Sequence, residues 1–253
     1  AGIAAGYSWS ESNALTTSLE NLQACTSGGC SGGPSGAAAS ITGASGVWPT
    51  SIEGFAGGLQ IGYTEQIPGG FVAGIEADIQ GLSGSGRADE ANVTPVPGFF
   101  PPYTTSTDLS VTKDIDWLGT VRGRLGFLVT PSLLIYGTGG LAYGKVESTT
   151  RISQSYNPNV GGVANNWGSF SSYSETRVGW TAGGGGEWKL APKVSLKGEY
   201  LYYDLGSVSY SGRLVDGITV NNPPASAFFT NSVTSSFDAD GHIARVGLNF
   251  YLN

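Results

Sequence analysis

The chain has 253 residues, a formal net charge of −7, 41 glycines, 11% aromatic residues and no methionine. Charged residues are 12% of the chain, about half the share usual in soluble domains. The aromatic content excludes a disordered polymer. The glycines keep no period of three, which excludes collagen. The negative balance, with no basic run longer than Arg122-Gly-Arg124, excludes general nucleic-acid binding. The missing methionine predicts a mature or trimmed chain whose signal peptide has already gone.

Eight strand-like segments follow one another. The first covers Gly2 to Trp9, and a region rich in Gly, Ser, Ala and Thr succeeds it at about residues 12–53. The second, Gly54 to Gln66, ends in the turn Ile67-Pro-Gly-Gly70, and the third runs from Phe71 to about Ser83. A long connection at about 84–114 contains Pro95, Pro97, Pro101 and Pro102. The fourth strand, Ile115 to Val129, turns at Thr130-Pro-Ser132 into the fifth, Leu133 to Glu147. An Asn-, Ser- and Gly-rich connection at about 148–174 precedes the sixth strand, Glu175 to Leu190. Ala191-Pro-Lys193 leads into the seventh, Val194 to Tyr210, and after a connection at about 211–237 the eighth runs from Asp238 to Leu252.

The faces of these strands read inside out. In Phe71-Val-Ala-Gly-Ile-Glu-Ala-Asp-Ile-Gln80, Phe71, Ile75 and Ile79 share a face opposite Glu76, Asp78 and Gln80. In the fourth strand Trp117, Val121, Leu125, Phe127 and Val129 oppose Asp116, Thr120, Arg122 and Arg124. Period 2 means β-strand. Acids on one strand and arginines on the next are arranged to meet in an enclosed space, with apolar faces turned to lipid. Extending the assignment gives an interior set of Glu76, Asp78, Arg122, Arg124, Glu187, Lys189, Lys197, Glu199 and Arg245. The outward set includes Phe55, Leu59, Ile61, Tyr63, Val178, Trp180, Trp188, Leu196, Tyr200, Tyr202, Val246, Leu248 and Phe250.

Leu125 to Gly144 carries no charge and is long enough for a membrane helix. Pro131 and five glycines within it favour two strands joined by a turn instead. Connections that alternate long and short point to a bacterial outer-membrane barrel, because compact soluble domains rarely carry four structureless loops of that size. The expected fold is therefore all-β: an eight-stranded antiparallel transmembrane up-and-down barrel. It has four long external loops and short periplasmic turns, and residues 1–253 form one domain. An eight-stranded barrel has room only for side chains, so a salt-bridged and largely closed interior is expected. Cys25 and Cys30 predict a small local disulfide, since no His or third Cys is near enough to complete a metal site.

Several segments together resemble a known family: Phe71 to Gln80, Trp117-Leu-Gly-Thr-Val-Arg-Gly-Arg-Leu-Gly126, Tyr136-Gly-Thr-Gly-Gly-Leu-Ala-Tyr-Gly144, Gly179-Trp-Thr-Ala-Gly183 with Glu187, Lys197-Gly-Glu-Tyr200, and His242 to Phe250. They are similar to the alphaproteobacterial outer-membrane β-barrel family of immunogenic, porin-like proteins, whose fold is like the OmpA transmembrane barrel. The resemblance covers nearly all of the chain apart from the loops. It implies an eight-stranded barrel in the Gram-negative outer membrane, and residues upstream of Ala1 that complete the first strand.

No enzyme activity, metal or cofactor is expected. The lone histidine, His242, stands near Asp238 and Asp240, a poor set for catalysis or haem ligation. The expected function is structural, with surface loops for protein or envelope contacts. A narrow porin for small solutes, or a haemin- or ligand-binding surface protein, is the alternative. Partners are outer-membrane lipid and lipopolysaccharide, with self-association or another envelope protein as the further expectation, and no nucleic acid. Phe99, Phe100, Tyr103, Phe228 and Phe229 are the candidate loop contacts.

Overall fold

The computed structural model describes residues 1–10, 13–26, 29–32, 43, 45–96, 103–157, 165–221 and 224–251. Its regular elements are twelve strands: β1 (Gly2–Trp9), β2 (Asn13–Thr26), β3 (Gly29–Gly32), β4 (Gly46–Thr50), β5 (Glu53–Ile67), β6 (Phe71–Leu82), β7 (Ser85–Val96), β8 (Tyr103–Thr130), β9 (Leu133–Asn157), β10 (Asn165–Ala191), β11 (Val194–Asn221) and β12 (Pro224–Phe250). Eight of them, β1, β5, β6, β8, β9, β10, β11 and β12, form an antiparallel ring. It closes where β12 pairs with β1, from Gly2↔Asn249 to Trp9↔His242. Closure leaves no unpaired edge at the depth of the bilayer, as lipid demands.

The long connections differ from the structureless loops expected of them. β2, β3, β4 and β7 lie within the first two, and the others are continuations of β9, β10, β11 and β12. β8 has 28 residues, which span roughly 90 Å when extended. Crossing a bilayer takes only about ten tilted residues, so more than half of this strand stands outside.

The strands invert their polarity as they leave the membrane. In the lower part of β8, Thr120, Arg122 and Arg124 are buried inside, while Val121, Leu125, Phe127 and Val129 are exposed outside. In its upper part Leu109, Val111 and Ile115 are buried, with Ser110, Thr112 and Asp114 on the opposite face. The pairing of β8 with β9 slips between Ile115 and Leu118. This bulge moves the inward phase from odd to even residues, as an extra residue in one strand must. β11 makes a similar switch between Asp204 and Ser207, aided by Gly206 at φ 81°.

Inside the upper barrel Ile115, Leu118, Ala142, Val146, Leu201, Leu205, Val208, Phe237 and Ile243 form one apolar core. At this core the fold thus obeys the soluble rule, with apolar residues in and polar residues out, although Thr105, Thr107, Thr150, Gln154 and Ser235 are also buried in the upper barrel. Within the membrane it obeys the reverse. There Phe55, Leu59, Ile61, Tyr63, Ile75, Leu125, Val178 and Val246 are all more than half exposed on the outer surface. Trp117 packs on Tyr143, and Trp180 on Tyr202, at the outer boundary of that band. Close neighbours inside need small residues: a Cβ on Gly140, opposite Arg122, would lie 2.1 Å from the Val121 carbonyl oxygen.

Candidate functional site: the charged interior

The pleat of five strands aims eight charged side chains at the axis: Glu76 and Asp78 from β6, Arg122 and Arg124 from β8, Glu187 from β10, Lys197 and Glu199 from β11, and Arg245 from β12. All are under 9% exposed. Lys189, expected with them, is exposed near the end of β10, by the 192–193 turn. The barrel no longer encloses a side chain there, so alternation misassigned it. Without Lys189 the set at membrane depth balances, with four carboxylates against four cations.

The pairs run across the lumen as well as between neighbours. Arg122 Nη2 lies 2.6 Å from both Glu76 Oε1 and Asp78 Oδ2, and its Nη1 donates to Glu199 Oε1 at 3.1 Å. Arg245 donates through Nη2 to Asp78 Oδ2 at 2.9 Å and to Glu199 Oε2 at 2.5 Å. Lys197 Nζ is 2.5 Å from Glu76 Oε1 and 3.3 Å from Glu199 Oε1. Nearer the periplasm Arg124 pairs with Glu187. Buried charges persist only when paired and hydrogen-bonded, and here each carboxylate meets at least one cation.

Neutral residues complete the network: Gln80 and Thr120 already shared the polar faces in sequence, whereas Gln60, Tyr136, Ser195, Asn249 and Tyr251 did not stand out there. Gln60 Oε1 accepts from Lys197 at 3.1 Å, Gln80 Oε1 from Arg245 at 3.3 Å, and Thr120 Oγ1 donates to Asp78 Oδ2 at 2.9 Å. Tyr136 donates to Glu199 Oε1 at 2.9 Å, and its ring carries the Arg124 guanidinium at 3.6 Å. Glu187 also accepts from Ser195, Asn249 and Tyr251. The signal available for Gln60, Tyr136 and Asn249 was their place on the inward phase. Below the network a 310 Å³ vestibule, lined in part by Gln60, Glu76, Arg124, Glu187, Asn249 and Tyr251, opens towards the periplasm. Above it begins the apolar core, at Leu118, Leu201 and Ile243.

The other candidates lie elsewhere. His242 sits on the outer surface, stacked on Trp9 and hydrogen-bonded through Nδ1 to Tyr200 at 2.6 Å. Neither neighbouring acid engages it: Asp240 accepts from Tyr202 and Asp238 from Ser207. Among the described residues no cluster of three or more His, Cys, Asp or Glu could hold a metal. Cys25 and Cys30 stand opposite each other in the β2–β3 backbone register. Their side chains lie outside the described residues, as do those of Tyr103, Phe228 and Phe229 and all of Phe99 and Phe100.

A closed antiparallel ring with an apolar outer band, an aromatic boundary and a charged lumen defines an outer-membrane β-barrel. The chain belongs to the outer membrane protein beta-barrel domain family, whose model matches residues 2–250. A 31 kDa outer-membrane immunogenic protein of Brucella melitensis biotype 1 is 37% identical over 206 residues, 81% of this chain and 70% of that protein. A 22 kDa outer membrane protein of Rhizobium leguminosarum bv. viciae is 30% identical over 157 residues, 62% of this chain and 56% of that one. Ail, the attachment invasion locus protein of Yersinia pestis, covers 94% of this chain and 97% of its own at 9% identity. Its TM-score of 0.28 is too low for any argument to rest on it. This is an outer-membrane protein of a Gram-negative cell, surrounded by outer-membrane lipid and lipopolysaccharide.

Proposed function

We propose that the chain, as a single barrel domain, is a structural outer-membrane protein with a closed interior, and that its extracellular extension makes the contacts on which its role depends. The observation that carries this reading is the double filling of the lumen. A balanced charge network fills it at membrane depth, and an apolar core directly above extends from Leu118 and Ile243 to Phe237. A hydrated ion entering from the vestibule would have to break paired charges and then cross the apolar layer at Leu118, Leu201 and Ile243. A narrow porin is therefore the weaker reading. A haemin site draws little support from a histidine already bonded to Tyr200 on the outer surface. The same arrangement favours a protein without catalytic activity.

Purified protein in planar bilayers tests the closed reading. Rare or no openings are expected, and large steady conductance would overturn it.

A further inference from the structure

The three arginines of the interior are not equally satisfied. Arg122 bonds through Nε to Thr120, through Nη1 to Glu199, and through Nη2 to Glu76 and Asp78. Arg245 likewise uses all three nitrogens, on Glu199, Gln80 and Asp78. Arg124 is as deeply buried, but it bonds through Nη2 alone, to Glu187. Its Nε is buried without a hydrogen-bond partner, and its Nη1 has none among the described residues.

The carboxylate beside it shows the same imbalance. Glu76 Oε1 accepts from Arg122 at 2.6 Å and from Lys197 at 2.5 Å. Its Oε2 accepts no hydrogen bond among the described residues. The cation within its reach is Arg124 Nη1, at 3.9 Å, which is too long for a direct bond. A guanidinium nitrogen and a carboxylate oxygen thus stand side by side with a gap between them, on residues 6% and 8% exposed. Unmade hydrogen bonds on buried charged groups are costly.

Both residues line the 310 Å³ vestibule that opens towards the periplasm. The other polar groups of its inner wall are already engaged. Gln60 bonds to Lys197 and Asn249, and Asn249 and Tyr251 donate to Glu187. At the rim the Ala1 amine donates to the Phe250 carbonyl oxygen at 3.0 Å. Gly62 faces Glu76 across the β5–β6 register, where a Cβ would stand 3.5 Å from Glu76 Cβ. A glycine at that position leaves the space beside the carboxylate open.

We propose that this gap binds the zwitterionic group of a small α-amino acid that enters from the periplasm. The ligand carboxylate accepts from Arg124 Nη1, and its ammonium donates to Glu76 Oε2. An α-amino acid carries its two charged groups on one carbon, which suits partners 3.9 Å apart. A simple anion would be repelled by Glu76 and a simple cation by Arg124, so a ligand bearing both signs is the one that satisfies both. Each contact is a charge-assisted hydrogen bond in a site withdrawn from bulk water, where such bonds are strongest. The apolar core at Leu118, Leu201 and Ile243 lies above the network, so the ligand enters and leaves by the same periplasmic mouth. The site goes beyond the structural reading and does not depend on what the extracellular extension contacts.

Titration of the folded protein in lipid nanodiscs with L-alanine tests the site, read on the ¹³Cδ resonance of Glu76 and the ¹³Cζ resonance of Arg124. Both are expected to shift and saturate. Propionate, ethylammonium and propionamide each lack one or both charges, and each is expected to bind at least about tenfold more weakly. Thr64 lines the vestibule on its exposed side and takes no part in the charge network. Thr64→Trp is expected to abolish the shift while the barrel keeps its compact electrophoretic mobility. Glu76→Gln is expected to weaken binding about tenfold, read on Arg124. Thr64→Trp carries the test if Glu76→Gln does not fold. The absence of a saturable shift, an equal response to propionamide, or unchanged binding by Thr64→Trp would overturn the proposal, and none of these results alters the conductance expected of a closed barrel.

Discussion

Arg122 on β8 and Glu199 on β11 meet across the lumen, Nη1 to Oε1 at 3.1 Å, although β9 and β10 separate their strands in the wall. Arg122 also holds Glu76 and Asp78, so its loss takes a cation from three carboxylates at once and leaves them to Lys197 and Arg245. Breaking a buried pair by removing one partner typically costs about 3–5 kcal/mol. Arg122→Ala is expected to lower stability by that order in urea unfolding from lipid vesicles. Arg122→Met combined with Glu199→Gln should cost less than the two single changes added together. A loss below about 1 kcal/mol, the scale of a surface pair, for Arg122→Ala would show the network to be slack.

The two fillings of the lumen separate in conductance. Arg122→Ala with Arg245→Ala opens the charged layer but leaves Leu118, Leu201 and Ile243 above it. No steady current is expected from that variant in planar bilayers. Adding Leu118→Ser, Leu201→Ser and Ile243→Ser should admit ions. Current from the first variant alone would refute the apolar layer as a barrier.

Lys113 stands above Trp117, outside the bilayer, inside the upper barrel. Its Nζ donates to the Asp238 carbonyl oxygen at 2.7 Å and lies 4.6 Å from the Phe237 ring centre. Burial pushes its amine down to about 8 from 10.5, against the pull of Asp240 and Asp238. Between those two pH values the unfolded chain keeps a proton that the folded chain has released, so stability rises with pH across that window. Below it both states are charged, and the cost of burying the ammonium is present in full. Lys113→Met is expected to raise the unfolding midpoint at pH 7, with a gain that shrinks towards pH 10.5. A ¹³Cε titration of Lys113 near its ordinary value would contradict this.

The outward face is tested by charge. Leu125 is 71% exposed on the lipid side, and Leu125→Arg should cost about 2–4 kcal/mol if it lies near the midplane. Lys189→Glu, at the exposed end of β10, should change stability by less than about 0.5 kcal/mol. Equal effects in vesicle unfolding would mean that the membrane band is misplaced.

How far the charged interior was legible in sequence depends on alternation. A strand has only two faces, so Phe71 to Gln80 and Trp117 to Val129 could be sorted without coordinates, and Glu76, Asp78, Arg122 and Arg124 fell on one side. The same rule carried Lys189 inward, because periodicity does not say where the barrel stops enclosing a side chain. The upper strands were missed although they also alternate. Thr105, Thr107, Leu109 and Val111 are buried on one phase, with Ser106, Asp108 and Ser110 on the other. Their pattern has the opposite sense, with the polar Ser106, Asp108 and Ser110 outward, and serines, glycines and prolines nearby resembled loop composition.

By itself the sequence determined the membrane: a period of 2, a low charge content, and turns such as Ile67-Pro-Gly-Gly70 are local properties that survive without a partner strand. Closure and the pairing of Arg122 with Glu199 are relations between residues distant along the chain. Only the curvature and register of the assembled ring bring those residues within reach, and so only the tertiary structure decided them.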